Sequence, residues 1–468
     1  MDSNWKEYAL LTQSFDTYFE QQRDKHLREL FEFLRFPSIS TQPEHAQDVA
    51  ACAEFLSDKM RNIGFENVSL MPTKGHPVVY GDWLHAEGKP TVLVYGHYDV
   101  QPVDPVELWD SAPFEPEIRD GKLYARGASD DKGQVFMHLK AFEALFETNG
   151  ELPVNVKFCF EGEEEIGSLN LPEFVRQHQE LLAADIVVIS DTTMLGPDMP
   201  SICYGLRGLA GLQVDVKGAK GDLHSGLYGG AIQNPLHALV HILDSMHNDD
   251  GSVAVEGFYN SVTDLTPDER SAYATLGSND AELMKELDVP ALYGEAGYTP
   301  RERIWGRPTL EINGVYGGYQ GEGTKTVIPS EAHAKITCRL VPAQDPDDIL
   351  DKVEAHVQKH TRPGVKSTVI KTDRGNAYLT PFNHPAIQLA AESYAKAYGK
   401  PASFSRMGGS IPVVDTFSSV LNTPVVLMGF GLESENFHAP NEHFTLSNFD
   451  RGLRTLCYYW LGLEDALR

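Results

Sequence analysis

Apolar and polar positions along the chain follow two patterns, and the first predicts an α/β domain. Short, continuously apolar runs that indicate buried strands are separated by amphipathic stretches with helical spacing. Such runs are typical of mostly parallel strands that are covered by helices on both faces. The predicted helices are 5–36, 51–63, 134–146, 172–182 and 386–398, and the predicted strands are 90–95, 154–160, 186–190 and 425–429.

The second pattern begins near Gly205 and predicts an α+β domain. The runs 208–216 and 335–341 alternate apolar and polar residues, as strands with one solvated face do. Helices are predicted over 235–246 and 346–359, and the polar, acidic stretch between them contains helical fragments such as 280–287. We therefore predict a catalytic domain at 1–210 and 376–468, with a mixed, mostly parallel sheet, interrupted by an inserted domain at 211–375.

Length and charge support this division and exclude some partners. The chain has 468 residues, whereas single cores stop growing at roughly 250–300 residues. The formal net charge is −28, which argues against binding to nucleic acid or to an anionic membrane, because both are polyanions.

The cysteines and the first residues predict a reducing, cytoplasmic setting. The five cysteines are widely spaced and form no Cys-x-x-Cys pair. Cys159, Cys203 and Cys338 lie in or beside apolar segments, as buried free thiols usually do. The first 20 residues lack a basic start, and their apolar run 9–11 is too short for a signal peptide. No apolar run approaches the ~20 residues of a membrane span.

The candidate chemistry lies at the ends of the predicted strands. His97 and Asp99 follow the apolar run 91–96 and face the same side of an extended chain. A metal-binding imidazole commonly donates its second N–H to such a carboxylate. The other candidates in similar positions are Asp130 or Asp131 before a helix, the acidic run 161–165, Asp191 and His438.

Each of these residues has an ordinary structural interpretation: a helix cap, a solvated acidic loop, a turn or a surface histidine. Their joint occurrence beyond successive strand ends favours a metal site instead. Gathered carboxylates repel one another, and divalent cations neutralise them. Imidazoles and carboxylates without thiolate suit Zn²⁺ or Mn²⁺. The oxygens suffice for two metals that share one bridging carboxylate.

Four motifs resemble those of the M20 metallopeptidase family, and they occur in the family's order. They are His-Tyr-Asp-Val-Gln-Pro, Ser-Asp-Asp-Lys-Gly, Glu-Glu-Glu-Ile-Gly-Ser and Asp-Leu-His-Ser-Gly, which begin at residues 97, 129, 163 and 222. The segments 204–208, 222–230 and 325–329 are most similar to the dipeptidase branch, which includes cytosolic non-specific dipeptidase and carnosinase.

The resemblance implies a role for each candidate in a centre of two divalent ions. His97 and Asp191 would bind one metal, Glu165 and His438 the other, and Asp130 would bridge them. Asp99 would orient His97. Glu164 would be the general base towards a water held between the metals, and the peptide bond Asp130–Asp131 would be cis.

The resemblance also implies residues that bind the substrate and a homodimer. His224 would stabilise the oxyanion in the partner subunit's active site, accompanied by Thr326, so that the inserted domain serves as lid and dimerisation domain. Arg339 would bind the C-terminal carboxylate of a dipeptide, with Gly409 and Ser410. An excess of acid near the site, including Glu163, would be compatible with binding a free amine.

Several alternatives stay open on sequence grounds. The same scaffold would also suit an N-acyl amino-acid deacylase, a desuccinylase or a carboxypeptidase. A non-enzymatic scaffold would have lost Glu164 or a metal ligand, and none is missing. A metal-dependent binding protein would not need a base beside its ligands.

Overall fold

The computed structural model of the chain describes residues 2–277, 280–409 and 411–468. The backbone clusters into two compact units. The first contains the residues up to Tyr204, Thr380–Ser405 and Pro412–Arg468, and the second contains Gly205–Leu379 and Arg406–Ile411. The sequence suggests an inserted domain at 211–375; the second unit begins earlier and also includes Arg406–Ile411, which starts within the strand Ser403–Met407.

The first unit is built on a mixed sheet whose central strands are parallel, which confirms the predicted fold class. Antiparallel partners lie on either side of the parallel strands. The parallel strands are, in order, Asn155–Glu161, Thr91–His97, Ile186–Ile189 and Val425–Leu427. The outer strands are Glu66–Met71 and Val78–Trp83 on one side, and Ser201–Leu206 with Ser403–Met407 on the other.

Helices pack against this sheet around one hydrophobic core. The helix Lys132–Asn149 is apolar on most sides and is buried over most of its length, and Phe142 stacks on Trp460 with ring centroids 4.9 Å apart. The helices of this unit are Asp2–Leu34, Ala46–Ile63, Lys132–Asn149, Leu171–Gln177, Gln179–Leu182, Pro385–Tyr398, Pro412–Leu421 and Leu446–Leu467.

One predicted helix, 172–182, is in fact two. The segments Leu171–Gln177 and Gln179–Leu182 are separated by His178, whose φ of −117° and ψ of 27° lie outside the helical region. The apolar periodicity continues through the break, so the spacing alone predicted a single helix.

The second unit has a four-stranded antiparallel sheet with its own core. Its strand order is Thr309–Gly317, Glu331–Leu340, Gly208–Lys217 and Lys366–Gly375. The helices Pro235–Asp244 and Pro346–His360 share a hydrophobic cluster with the buried residues of the central strands. The remaining elements are the strands Leu223–His224, Val327–Ile328 and Tyr378–Leu379, and the helices Ser225–Tyr228, Pro267–Thr275, Asp280–Glu286 and Pro300–Gly306.

All five cysteines are buried free thiols, which confirms the expectation for Cys159, Cys203 and Cys338. Within the part of the chain that is described, no helix has both the length and the apolar character that crossing a bilayer requires.

Candidate metal centre

The parallel strands of the first unit end at the predicted ligands. His97 is the last residue of Thr91–His97, and Asp191 comes two residues after Ile186–Ile189. Glu165 lies in a short 3-10 turn after Asn155–Glu161, and the loop with His438 follows the fourth parallel strand. Because the carboxyl ends of parallel strands meet at one edge of a sheet, residues distant in sequence converge there.

A glycine allows Asp130 to reach the same place. Asp130 precedes the buried helix Lys132–Asn149, which packs against the strand that carries His97. At Gly96, an added Cβ would lie 2.4 Å from Val135 Cγ2 and 2.9 Å from Asp131 Oδ2. A side chain at position 96 would therefore push the start of the helix, and Asp130 with it, away from His97.

Five side chains form two groups of possible metal ligands that share Asp130. The first group is His97, Asp130 and Asp191, and the second is Asp130, Glu165 and His438; in each, the ligand atoms lie within 4.8 Å of one another. His97 Nε2 is 3.1 Å from Asp130 Oδ1, and His438 Nε2 is 2.8 Å from Asp130 Oδ2. The two oxygens of Asp130 thus face different histidines.

These distances fit divalent ions. Ligand atoms about 2.1 Å from a tetrahedral ion lie about 3.4 Å apart. The nitrogen of His97 is 3.9 Å from Asp191 Oδ2, and that of His438 is 3.3 Å from Glu165 Oε2. Imidazole and carboxylate donors suit Zn²⁺ and also Mn²⁺, so the residues present fit a pair of such ions.

The electrostatics of the cluster also favour a bound cation. Burial, aided by the neighbouring Asp130, raises the pKa of Glu165 to about 10, and the same two causes raise the pKa of Asp191 to about 6. Burial alone would also raise the pKa of Asp130, but hydrogen bonds with His438 and His97 outweigh it and hold that pKa well below its usual value. A divalent ion would supply the positive charge that the remaining carboxylates lack.

Asp99 connects His97 to the loop of the expected base. His97 Nδ1 lies 3.1 Å from the Asp99 carbonyl oxygen and 3.4 Å from Oδ1. The Asp99 carboxylate also accepts hydrogen bonds from the backbone N–H groups of Glu164 and Glu165, at 3.2 and 3.1 Å. The sequence suggested only the contact with His97; the geometry adds a support for the following loop.

Glu164 lies beside the cluster with a side chain suited to carrying a proton. Burial raises its pKa to about 8, and Asp191 and Asp130 contribute, although His97 opposes them. Asp130–Asp131 is a cis peptide bond, as the resemblance implied.

Two supporting residues were missed in the sequence. Gln101 Nε2 donates to Glu165 Oε2 at 2.8 Å, and Ser40 Oγ donates to Asp99 Oδ2 at 2.6 Å. Gln101 could have been recognised as a supporting residue from its position two residues beyond Asp99. Ser40 is 59 residues from its partner, and no local pattern marks it.

Glu163 is held by hydrogen bonds from two other segments of the chain. Its carboxylate accepts hydrogen bonds from Asn170 Nδ2 at 2.8 and 3.1 Å and from the His76 N–H at 3.3 Å, and its side chain is buried. These hydrogen bonds fix the loop before the expected base, and the compatibility of the acidic surroundings with a free amine stays a prediction.

The second unit brings His224 and Thr326 together. His224 pairs with Val327 in a two-stranded ladder, and the N–H of Ser225 donates to the Thr326 carbonyl at 3.0 Å. The His224 side chain is exposed, and its Nδ1 accepts a hydrogen bond from the Gly226 N–H at 3.0 Å.

Arg339 and Gly409 each lie near Arg207. Arg339 lines a cavity of about 450 Å³ within the second unit, as Arg207 does. The Arg207 N–H donates to the Gly409 carbonyl at 3.2 Å, and its Nε donates to the Gly408 carbonyl at 2.9 Å. Ser410 lies outside the described residues.

The profile of peptidase family M20/M25/M40 matches residues 93–461, and the chain belongs to this family. It is therefore a peptidase, a hydrolase of the metal-dependent class. Asp130, Glu165 and His438, like His97 and Asp191, lie within the matched range.

Relatives cover nearly the whole chain. It is 32% identical to the Cys-Gly metallodipeptidase of Schizosaccharomyces pombe over 465 residues, 95% of this chain and 98% of the relative. It is 29% identical to the human Beta-Ala-His dipeptidase, over 98% and 93% of the two chains.

Solved structures agree with this placement. The di-peptidase Dug1p from Saccharomyces cerevisiae superposes with a TM-score of 0.78 at 29% identity, covering 97% of this chain and 98% of the other. An M20 family metallo-carboxypeptidase from Sulfolobus solfataricus gives a TM-score of 0.80 at 33% identity, covering 93% and 98%.

Proposed function

We propose that this enzyme hydrolyses the peptide bond of dipeptides and uses two divalent ions, Zn²⁺ or Mn²⁺, per subunit. The observation that carries the proposal is the pair of ligand groups that share Asp130, with Glu164 beside them. The relatives named for Cys-Gly and Beta-Ala-His dipeptides match over more than nine-tenths of the chain and support the substrate class.

The ligands divide between the ions as the two groups do. His97 and Asp191 would hold one ion and Glu165 and His438 the other, with one oxygen of Asp130 for each. Bound ions of this kind supply Lewis acidity towards a carbonyl and increase the acidity of water. Asp99 would fix the ring of His97 and the backbone of the base loop at once.

Glu164 would move the proton. No hydrogen bond to its carboxylate is formed within the described residues, so the group is available to a water or a leaving amine. A raised pKa suits a carboxylate that accepts a proton in one step and returns it to the amine in the next.

The remaining predicted residues would recognise the substrate. Arg339 would bind its C-terminal carboxylate through a charge-assisted fork, assisted by Gly409 and Ser410. His224 would stabilise the oxyanion in the partner subunit of a homodimer, with Thr326 beside it, and the second unit would act as lid and dimerisation domain. The exposure of the His224 ring supports this role.

A carboxypeptidase is the second candidate, because the metallo-carboxypeptidase has the higher TM-score and identity of the two structures compared. Both enzymes would need a receptor for a free C-terminal carboxylate. A dipeptidase requires that a single residue precede the bond that is cleaved, whereas a carboxypeptidase does not.

The test is a substrate screen on the enzyme reconstituted with Zn²⁺ or Mn²⁺. It compares free dipeptides, longer peptides with the same C-terminal residue, and N-acetylated or N-succinylated amino acids. We expect the highest kcat/KM with dipeptides. Preference for longer peptides would select the carboxypeptidase, and preference for acylated amino acids would select a deacylase or desuccinylase. Metal content measured in the same preparation gives the number of ions per subunit.

A reducing, cytoplasmic location is part of the proposal. The five free, buried thiols support it, because they would stay reduced there.

A further inference from the structure

Glu442 is a buried carboxylate close to the metal centre but not among its ligand groups. It lies four residues after His438, and its side chain has no exposed surface. A buried carboxylate must be compensated by hydrogen bonds or by opposite charge, since burial without either is costly. The bonds that compensate Glu442 indicate what it does.

Within the described part of the chain, its side chain accepts four hydrogen bonds, and all of them come from the segment that leads to Asp130. Oε2 accepts from Arg126 Nη1 at 2.7 Å and from the Gly127 N–H at 2.9 Å. Oε1 accepts from the N–H groups of Ser129 and Asp130, at 3.0 and 3.1 Å. Three backbone groups of one short loop thus bind to a single carboxylate.

The loop 436–442 therefore holds Asp130 at two points. His438 Nε2 faces the Asp130 side chain at 2.8 Å, and Glu442 binds the Asp130 backbone N–H. The two contacts fix where the Asp130 carboxylate lies relative to its backbone. A carboxylate shared by two ligand groups depends more on such positioning than a ligand of one group does.

We propose that Glu442 is a positioning residue for the bridging carboxylate: through the backbone of 127–130 it sets where Asp130 presents its two oxygens, and so the affinity of the centre for its ions. The inference rests on the proposed function, in which Asp130 binds both ions. Partners that orient metal ligands typically change metal affinity or activity by about 10- to 100-fold when removed.

Glu435 provides a matched control. Its side chain is equally buried, and it accepts hydrogen bonds from Ser129 Oγ at 2.7 Å, from the Leu432 N–H at 3.0 Å and from the Thr445 N–H at 2.8 Å. Both carboxylates touch Ser129, but only Glu442 bonds the Asp130 backbone. Glu435→Gln therefore removes a comparable buried charge without acting on Asp130 directly.

The experiment compares the full-length wild type, Glu442→Gln and Glu435→Gln after metal removal and titration with Zn²⁺, Mn²⁺ and Co²⁺ against a competing chelator. Thermal midpoints are measured in parallel, and the visible spectrum of the Co²⁺ form reports the ligand geometry. We expect Glu442→Gln to weaken metal binding about 10- to 100-fold and to alter the Co²⁺ spectrum. We also expect lower kcat at saturating metal and a nearly unchanged KM. Glu435→Gln should keep the wild-type affinity and spectrum.

Wild-type affinity and spectrum in Glu442→Gln would overturn the inference, as would equal losses in both variants. Absence of metal binding by the wild type would overturn the proposed function instead. If Glu442→Gln does not fold, Glu442→Asp keeps the charge but shortens the reach to the backbone, and the same loss of affinity and spectral change are expected of it. Unchanged values in Glu442→Asp would then decide against the inference.

Discussion

The metal centre of the first unit and the arginine-lined cavity of the second unit differ in how their charges are compensated. In the centre, Asp130, Glu165 and Asp191 converge, and within the described residues their cationic partners are histidines alone. In the cavity, Arg307 pairs with Glu295 at 2.6 Å and with Asp264 at 2.8 Å. The first cluster would be completed by a cation from outside, whereas the charge of Arg307 in the second is neutralised by carboxylates of the same unit.

Arg207 and Arg339 line the same cavity as Arg307. Burial, together with the proximity of Arg339, lowers the pKa of Arg207 to about 10. Two neighbouring guanidinium groups favour an anion, as the acidic cluster favours a cation. In the proposed function, the acidic cluster would receive metal ions and Arg339 a carboxylate of the substrate, whereas the ion pair of Arg307 and Glu295 supports the structure of the cavity.

The largest effect is expected at Glu164. Glu164→Gln should keep both metals but lower kcat by about 10²- to 10⁴-fold, because the proton acceptor is lost. Glu163→Gln is the matched control, since Glu163 is adjacent but bonded to Asn170 and His76. Steady-state kinetics with metal analysis would measure both variants. Comparable losses in the two would show that the loop, and not the base, had been damaged.

His224 tests whether the second unit takes part in catalysis. His224→Ala should lower kcat by about 10²- to 10³-fold, as loss of an oxyanion donor does. Mixing His224→Ala with Glu164→Gln should then restore part of the activity, because a hybrid dimer contains one site with both residues intact. Subunit exchange is verified by mass-tagged chains. Exchange without recovery would contradict a site composed of residues from two subunits.

The sequence predicted which side chains converge in the candidate metal centre because each is encoded locally, at a strand end or before a helix. It did not predict the contacts between residues that are far apart in the chain. The partners of Glu163 are an asparagine seven residues later and a backbone group 87 residues earlier. Glu442 bonds the Asp130 N–H across 312 residues, so its role is apparent only in the folded chain.

The fold shows the same limit. The central strands are continuous apolar runs and were predicted, but the strand Val78–Trp83 was missed although all its residues are buried. It contains Asp82, which is compensated by hydrogen bonds from Tyr80 Oη at 2.7 Å and Asn67 Nδ2 at 2.8 Å. A buried polar residue that is satisfied by other side chains looks like a loop residue in the sequence.

A variant of Arg339 tests whether the arginine-lined cavity of the second unit binds the substrate. Arg339→Gln should raise KM for a dipeptide by about 10- to 100-fold with a smaller change in kcat, since a charge-assisted hydrogen bond contributes about 1.5–3 kcal/mol. Arg303→Gln is the control: Arg303 lines the same cavity, but its guanidinium donates to the carbonyls of Glu295 and Tyr293. Equal increases in KM would mean that the general charge of the cavity, and not Arg339, binds the substrate.

The smallest expected effect concerns stability. It compares a buried histidine that binds no ligand with an exposed one. His138 bonds Ser190 Oγ at 2.7 Å, and burial lowers its pKa to about 3. Below pH 6.5 His138 binds a proton in the unfolded chain, whereas in the folded chain it does so only near pH 3. The free energy of unfolding therefore falls with decreasing pH, by about 1–2 kcal/mol between pH 6.5 and 5. Urea unfolding of the metal-free protein at several pH values gives the slope of the free energy of unfolding against pH. This slope should be shallower in His138→Gln and unchanged in a variant of the exposed His237, His237→Gln. Equal slopes in all three proteins would show that His138 does not contribute to the acid sensitivity of the first unit.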